Sequence, residues 1–262
     1  MPNRLKDAEL FLLDMDGTIY LGDQAIDGAA KTISKLKSLN KKICYLTNNS
    51  SKSARQYLDK LRGLGFDAEI DQIVTSGIVA ADYISRFFKG YSVYLFGTDE
   101  LKSEFESYGI KLVQDNPQIV VIGFHTKMTY DELDLACKYI RQGKLFFATH
   151  PDKNCPTDEG FMPDTGSFLS LIYTSTNRKP SKIFGKPYKY MVNYLKSKFL
   201  TKAQNIAMVG DRLSTDIKFA KKFGMISVLV LSGETDQKML QDFGIAPDLV
   251  FDSIKDLADI FD

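Results

Sequence analysis

Two carboxylates stand two residues apart in Phe11-Leu12-Leu13-Asp14-Met15-Asp16-Gly17-Thr18, directly behind the apolar run Leu10 to Leu13. A free aspartate titrates near about 4, so at neutral pH such a carboxylate is already charged and needs no base to act as a nucleophile. An anionic nucleophile approaching an anionic phosphate needs a counter-charge, and a hard cation with oxygen ligands, Mg²⁺, would supply it. In that chemistry Asp14 takes a phosphoryl group, while Asp16 gives a proton to the leaving oxygen and later takes one from water. Gly17 would let the backbone turn closely around the anion. The same pair of aspartates would also serve as an Asx-turn or a helix cap.

Three further segments carry groups that suit this chemistry. Leu46-Thr47-Asn48-Asn49-Ser50-Ser51 follows the run Ile43 to Leu46. It offers hydroxyls and amides ahead of a predicted helix, whose start either presents N–H groups to an anion or is simply capped there. Gly210-Asp211-Arg212-Leu213-Ser214-Thr215-Asp216 follows the run Ile206 to Val209. Asp211 is a candidate metal ligand, and Asp216 would hold a water of the metal, orient its neighbours, or favour the first turn of its own helix through the helix dipole. Gly185-Lys186-Pro187 sets one lysine between a tight turn and a helix-starting proline. Beside carboxylates Lys186 would pair with Asp14 and with phosphate; elsewhere it is a solvated surface charge.

The elements around these segments follow from hydrophobic patterning. Short apolar runs, each followed by a Gly/Asp/Asn/Thr-rich turn and then a stretch of helical period, read as βα units. The near-continuous apolarity of Leu10 to Leu13 and Ile43 to Leu46 points to a parallel sheet covered on both faces. Helices are predicted over Ala29 to Leu39, Ser53 to about Leu64 and Ser214 to Phe223, with a further strand over Ile226 to Leu231. The segments that carry Asp14, Thr47 and Asp211 fall at carboxyl ends of predicted strands, where open α/β sheets bind ligands. Between the two halves lies a self-contained alternation: strand Ser92 to Phe96, helix Asp99 to Tyr108, strand Ile119 to Ile122, helix Thr129 to Gln142 and strand Leu145 to Ala148. The expected organisation is therefore a doubly wound α/β core made of residues 1–82 and 180–262, with an α/β domain inserted at 83–179.

Composition narrows the function classes. Hydrophobic residues make up 44% and charged residues 26% of 262, as in ordinary globular proteins. Thirty-four basic against thirty-three acidic side chains leave +1, so no strong field draws nucleic acid or an anionic membrane. Met1 to Glu9 is polar, and Leu10 to Leu13 is far too short for a signal segment or a membrane span. Cys44, Cys137 and Cys155 are widely spaced with no CxxC pair, which fits a reducing, cytoplasmic setting. An apolar face on the inserted domain would suit a homodimer, although no residue stripe marks one.

Asp14-x-Asp16-Gly17-Thr18, Leu46-Thr47-Asn48, Gly185-Lys186-Pro187 and Gly210-Asp211-x4-Asp216 stand in the order of the four motifs of the haloacid dehalogenase-like hydrolases, which this sequence resembles. The insertion, with its run Ala148-Thr149-His150-Pro151-Asp152, resembles the large α/β cap of the NagD and 4-nitrophenylphosphatase branch. The resemblance implies a Rossmann-like core carrying that cap, and a Mg²⁺-dependent phosphatase of small phosphorylated metabolites such as sugar phosphates and nucleotides. It implies Asp14 as nucleophile, Asp16 as acid and base, and Mg²⁺ held by the Asp14 carboxylate, the Asp16 main-chain carbonyl and Asp211. Thr47, Asn48 and Lys186 are then the phosphate contacts, and the cap sets specificity. His150, Asp152, Asn154 and the loop Cys155 to Ser167 are candidates for the leaving-group side, His150 equally as a loop anchor. Two other readings remain open: a phosphomutase, in which the phosphoryl group returns to substrate, and a non-catalytic regulator that binds a phosphorylated metabolite.

Overall fold

The computed structural model of the chain describes residues 2–157 and 160–261. It divides into two compact units. One comprises the chain up to Thr47, Arg55–Val74 and the chain from Val192 onward; the other comprises Asn48–Ala54 and Thr75–Met191.

The first unit is built on a six-stranded sheet in the order Leu249–Phe251, Ile226–Val230, Ile206–Gly210, Leu10–Leu13, Lys42–Thr47, Ile73–Thr75. Leu10–Leu13 pairs in parallel with both neighbours, Leu13 lying opposite Val209 on one side and Tyr45 on the other. Every residue of Leu10–Leu13 and of Ile206–Gly210 is buried, as expected of strands covered on both faces. From Leu10–Leu13 the chain winds one way through Lys42–Thr47 and later returns through Ile206–Gly210 on the opposite side. The carboxyl end of Leu10–Leu13 is therefore a topological switch point, where loops diverge and leave a crevice. Helix Ala29–Ser38 buries Ala29, Thr32, Ile33 and Leu36, one face at spacings of three and four. The helix predicted over Ser214 to Phe223 resolves into a π-helical stretch, Leu213–Ile217, and an α-helix, Lys218–Phe223. The widening arises because the carbonyl of Arg212 accepts from the N–H groups of both Asp216 (2.9 Å) and Ile217 (3.2 Å).

The second unit carries a five-stranded parallel sheet in the order Lys182–Ile183, Leu145–Ala148, Ile119–Ile122, Ser92–Phe96, Lys111–Leu112. Tyr94, Phe96, Ile122, Phe146, Phe168 and Ile172 meet in its core. Its extent differs from the expected insertion at 83–179. The strand Lys182–Ile183 adds to the edge of this sheet, opposite Phe147 and Ala148, and so carries the unit past residue 180. Helix Ser76–Phe87 and the loop from Asn48 also belong to it. Pro187 does not begin a helix: the next helix is Lys189–Phe199, two residues later. A hairpin of Asn154–Thr157 and Gly160–Pro163 and a helix, Thr165–Thr176, complete the unit. The three cysteines are free, and among the described residues no helix is long and apolar enough to cross a membrane.

Asp164 holds the start of helix Thr165–Thr176, accepting from the N–H of Thr165, and also accepts from Nε2 of the fully buried His150 at 2.8 Å. Burial opposes its charge, but the His150 ring and the Thr165 N–H outweigh it and lower its pKa. The stabilisation is thus present above the ordinary carboxylate range and lost as pH falls through the lowered value. Asp164→Ala removes a helix cap and takes the carboxylate partner from a buried imidazole, and thermal unfolding should record a loss of about 2–4 kcal/mol. Asp164→Asn, which retains an acceptor oxygen, should lose less than half of that.

Candidate active site

Asp14 is the residue after Leu13, and its main-chain N–H continues the ladder to Val209 O at 2.9 Å. Asp211 follows Gly210 at the end of the adjacent strand. The register of the two strands therefore sets two carboxylates side by side. With Asp216, from the π-helical stretch, they form a buried trio whose oxygens lie within 4.8 Å of one another.

Burial pushes the Asp211 carboxyl up, to about 8, and the charges of Asp14 and Asp216 push the same way. The Glu234 N–H, donating to Oδ2 of Asp211 at 2.7 Å, and the charge of Arg212 oppose that rise. Thr18 Oγ1 donates to the other oxygen at 3.3 Å, and Thr235 Oγ1 donates to the main-chain carbonyl of Asp211 at 2.5 Å. Arg212 N donates to Oδ2 of Asp216 at 3.1 Å, and the Arg212 guanidinium pairs with Glu234 at 3.0 Å.

Such crowding needs backbone without side chains. A Cβ on Gly17 would lie 2.4 Å from Oδ2 of Asp211, and one on Gly233 would lie 2.1 Å from the same atom. Gly17 also has φ of +82°, a conformation that other residues adopt only under strain. Asp16, half-buried, precedes it in a turn closed by Gly17 N to Tyr20 O at 2.8 Å. It stands outside the trio of metal-competent carboxylates. Thr47 is buried at the last position of its strand.

Asn48 and Lys186 lie in the second unit and are in direct contact. Lys186 N donates to Oδ1 of Asn48 at 2.7 Å, and Nδ2 of Asn48 donates to Lys186 O at 2.9 Å. Lys186 is buried to its tip, at 1% exposure. Six residues, Asn48 to Ser53, separate Thr47 from helix Ala54–Gly63, which matches the helix expected from Ser53 to about Leu64. In that loop Oδ1 of Asn49 accepts from both N and Oγ of Ser51, an Asx-turn.

Of the residues considered for the leaving-group side, His150 is an anchor: besides Asp164 its ring meets Thr149 Oγ1 at 2.9 Å and Ser76 Oγ at 3.3 Å. Asp152 contacts Asn48. Asn154 and Cys155 lie on the hairpin, and positions 158 and 159 of that loop fall outside the described residues. Thr18, quoted in the first motif without a role of its own, and the segment Ser232–Thr235, which no motif covers, lie around Asp211. The signal was available, because Ser232-Gly233-Glu234-Thr235 is a polar turn close behind the apolar run Ile226 to Leu231, the pattern that marked the other strand ends.

A family model described as haloacid dehalogenase-like hydrolase matches residues 11–111, and a related HAD-hydrolase-like model matches residues 183–257. The acid sugar phosphatase of Staphylococcus epidermidis is 35% identical over 248 residues, covering 94% of this chain and 95% of its own. The structure of a 4-nitrophenylphosphatase from Thermotoga maritima superposes with a TM-score of 0.95 at 44% identity, covering 98% of each chain. A glycerol phosphate phosphatase from Mycobacterium tuberculosis, Rv1692, solved with magnesium, superposes at 0.89 with 29% identity, over 97% of this chain and 77% of that one. The chain belongs to the haloacid dehalogenase-like hydrolases. Within them it falls in the branch of NagD and the 4-nitrophenylphosphatases, and it is a phosphoric monoester hydrolase.

The raised pKa of Asp211 has a sign that can be tested in the metal-free protein. Between the ordinary carboxylate range and about 8 the folded state binds this proton more tightly than the unfolded state, so its contribution to stability declines as pH rises through that window. Asp211→Asn should therefore raise the Tm of metal-free protein by about 2–4 °C for each kcal/mol of repulsion relieved. Differential scanning calorimetry should find the gain larger at pH 8 than at pH 5.

Proposed function

We propose that this chain hydrolyses phosphate monoesters of small metabolites, sugar phosphates among them, through a phosphoryl group carried on Asp14 and with Mg²⁺ as its metal. The observation that carries this reading is the buried trio of carboxylates at the switch point of the sheet, because three such charges crowded together call for a cation. The donor set fits Mg²⁺: hard oxygen ligands from Asp14 and Asp211, with the main-chain carbonyl of Asp16 as a third. Bound there, Mg²⁺ would offset the charge of the carboxylates and of the incoming phosphate.

The chain's own groups supply the rest. A carboxylate oxygen of Asp14 attacks phosphorus, forming the Asp14 O–P bond as the ester P–O bond breaks, and Asp16 protonates the departing oxygen. Asp16, now a base, takes a proton from water as the water oxygen attacks phosphorus and the Asp14 O–P bond breaks, releasing phosphate and restoring the Asp14 carboxylate and the protonated Asp16. Thr47, the main-chain N–H of Asn48 and Lys186 bind the phosphate oxygens, Lys186 as a point charge. Asp216, held by Arg212 N, keeps the Asp211 loop in place. The unit containing the expected insertion 83–179 acts as a cap that reads the leaving group. Sugar phosphates as substrates are supported by the acid sugar phosphatase relative, and Mg²⁺ by the magnesium complex of the Rv1692 protein. A cytoplasmic site of action is supported by three cysteines that stand outside any disulfide.

Phosphate release from a panel of sugar phosphates, nucleoside monophosphates and 4-nitrophenyl phosphate should require Mg²⁺ and stop in EDTA. Asp14→Asn should lower kcat at least about 10³-fold, since it removes the attacking group rather than a contact. Full activity in Asp14→Asn would overturn the reading.

A further inference from the structure

The side chain of Asn48 has one acceptor oxygen and two N–H donors, and all are engaged. Oδ1 accepts from Lys186 N at 2.7 Å; one N–H serves Lys186 O at 2.9 Å; the other faces the carboxylate of Asp152, with Oδ1 at 3.1 Å and Oδ2 at 3.2 Å. The amide thus grips both polar groups of the lysine's own main chain and leaves no side-chain N–H for an anion. A flipped amide would set its oxygen against the Lys186 carbonyl and the Asp152 carboxylate and its N–H groups against Lys186 N, so Asp152 reinforces the orientation that the Lys186 main chain asks for.

The surroundings leave this grip little freedom. Ser76 Oγ donates to the main-chain carbonyl of Asn48, and a Cβ on Gly185 would lie 2.6 Å from both Oδ1 of Asn48 and Cβ of His150. Gly185 N donates to Thr149 O at 2.6 Å, extending the pairing of Lys182–Ile183 with Leu145–Ala148. Asp152 is tethered in turn, its carbonyl accepting from Gly166 N at 2.7 Å. Asn48 is buried at 5% exposure and Lys186 at 1%. A buried lysine tip follows its backbone closely, because the packed stem has few rotamers left to absorb a shift.

We propose that Asp152 is a positioning residue for the phosphate-binding lysine: it orients the amide of Asn48, which clamps the Lys186 peptide and so sets where the ammonium stands. This rests on the reading above that Lys186 contacts phosphate. Asp152 then contributes to phosphate affinity only through Lys186, a stricter statement than that it stabilises the fold.

A double-mutant cycle reads that dependence. The probe is orthovanadate, a mimic of five-coordinate phosphorus, titrated calorimetrically in the presence of Mg²⁺ into wild type, Asp152→Ala, Lys186→Ala and the double variant. Asp152→Ala should weaken binding about tenfold or more, the scale of a lost charge-assisted hydrogen bond. Once Lys186 is alanine, Asp152→Ala should add less than about twofold. Asp152→Asn, which keeps an acceptor for the amide, should recover most of the affinity, and Asp152→Leu, which removes the acceptor but fills the space, carries the cycle in place of Asp152→Ala if that variant fails to fold. Losses that multiply in the double variant, or wild-type affinity in Asp152→Ala, would overturn the positioning role alone. Wild-type affinity in Lys186→Ala would instead remove the phosphate role of the lysine, whatever Asp152 does.

Discussion

Mutual repulsion among Asp14, Asp211 and Asp216 is the constraint on which the first unit is organised. Three carboxylates buried with oxygens within 4.8 Å of one another oppose folding unless something lowers their charge, and Asp211 responds by holding its proton more tightly. The parallel register of Leu10–Leu13 against Ile206–Gly210 makes two of these neighbours unavoidable, because each strand runs directly into its aspartate. Gly17 and Gly233 allow the surrounding backbone to close to distances that no Cβ would permit. Main-chain and hydroxyl donors from Glu234 and Thr18 then aim the Asp211 carboxylate. An arrangement unfavourable to the empty protein is well suited to a divalent cation, so metal affinity and apoprotein stability pull in opposite directions.

The second unit solves a different problem, that of holding a buried lysine. Lys186 follows a two-residue strand at the edge of the sheet, and so short a strand has little stiffness of its own. Rigidity comes from side chains instead, with the amide of Asn48 bonded to both polar groups of the Lys186 main chain. His150, Thr149 and Ser76 form a second polar cluster, which ends on Asp164 at the head of helix Thr165–Thr176. The two clusters meet at Gly185, whose missing Cβ makes room for both.

The strands that bear chemistry were legible in the sequence because a strand buried on both faces writes an unbroken apolar run and its end is marked by abrupt polarity. Asp14, Thr47 and Asp211 could be read from that alternation alone. Lys182–Ile183 was not legible, since two residues carry no period, and so the edge of the inserted unit was drawn too early. Helix Thr165–Thr176 also escaped: its Ser and Thr residues compete for backbone hydrogen bonds, and its helicity comes from the Asp164 cap and the burial of Phe168 and Ile172. The π-helical turn behind Asp211 rests on bonds five residues apart, Ile217 N to Arg212 O and Lys218 N to Leu213 O, a geometry that residue types do not encode. The donors around Asp211 are partly main-chain groups, and these have no sequence signature beyond the polar turn that holds them.

The carboxylate trio as a proton-loaded metal site is tested most directly by calorimetric titration of Mg²⁺ at pH 7 in two buffers of different ionisation enthalpy. Because burial, with Asp14 and Asp216 beside it, raises the pKa of Asp211, Mg²⁺ binding should release protons, so that the measured enthalpy changes with the buffer, and Asp211→Asn should abolish that dependence. Mg²⁺ binding with no proton release, or binding left intact by Asp211→Asn, would contradict it.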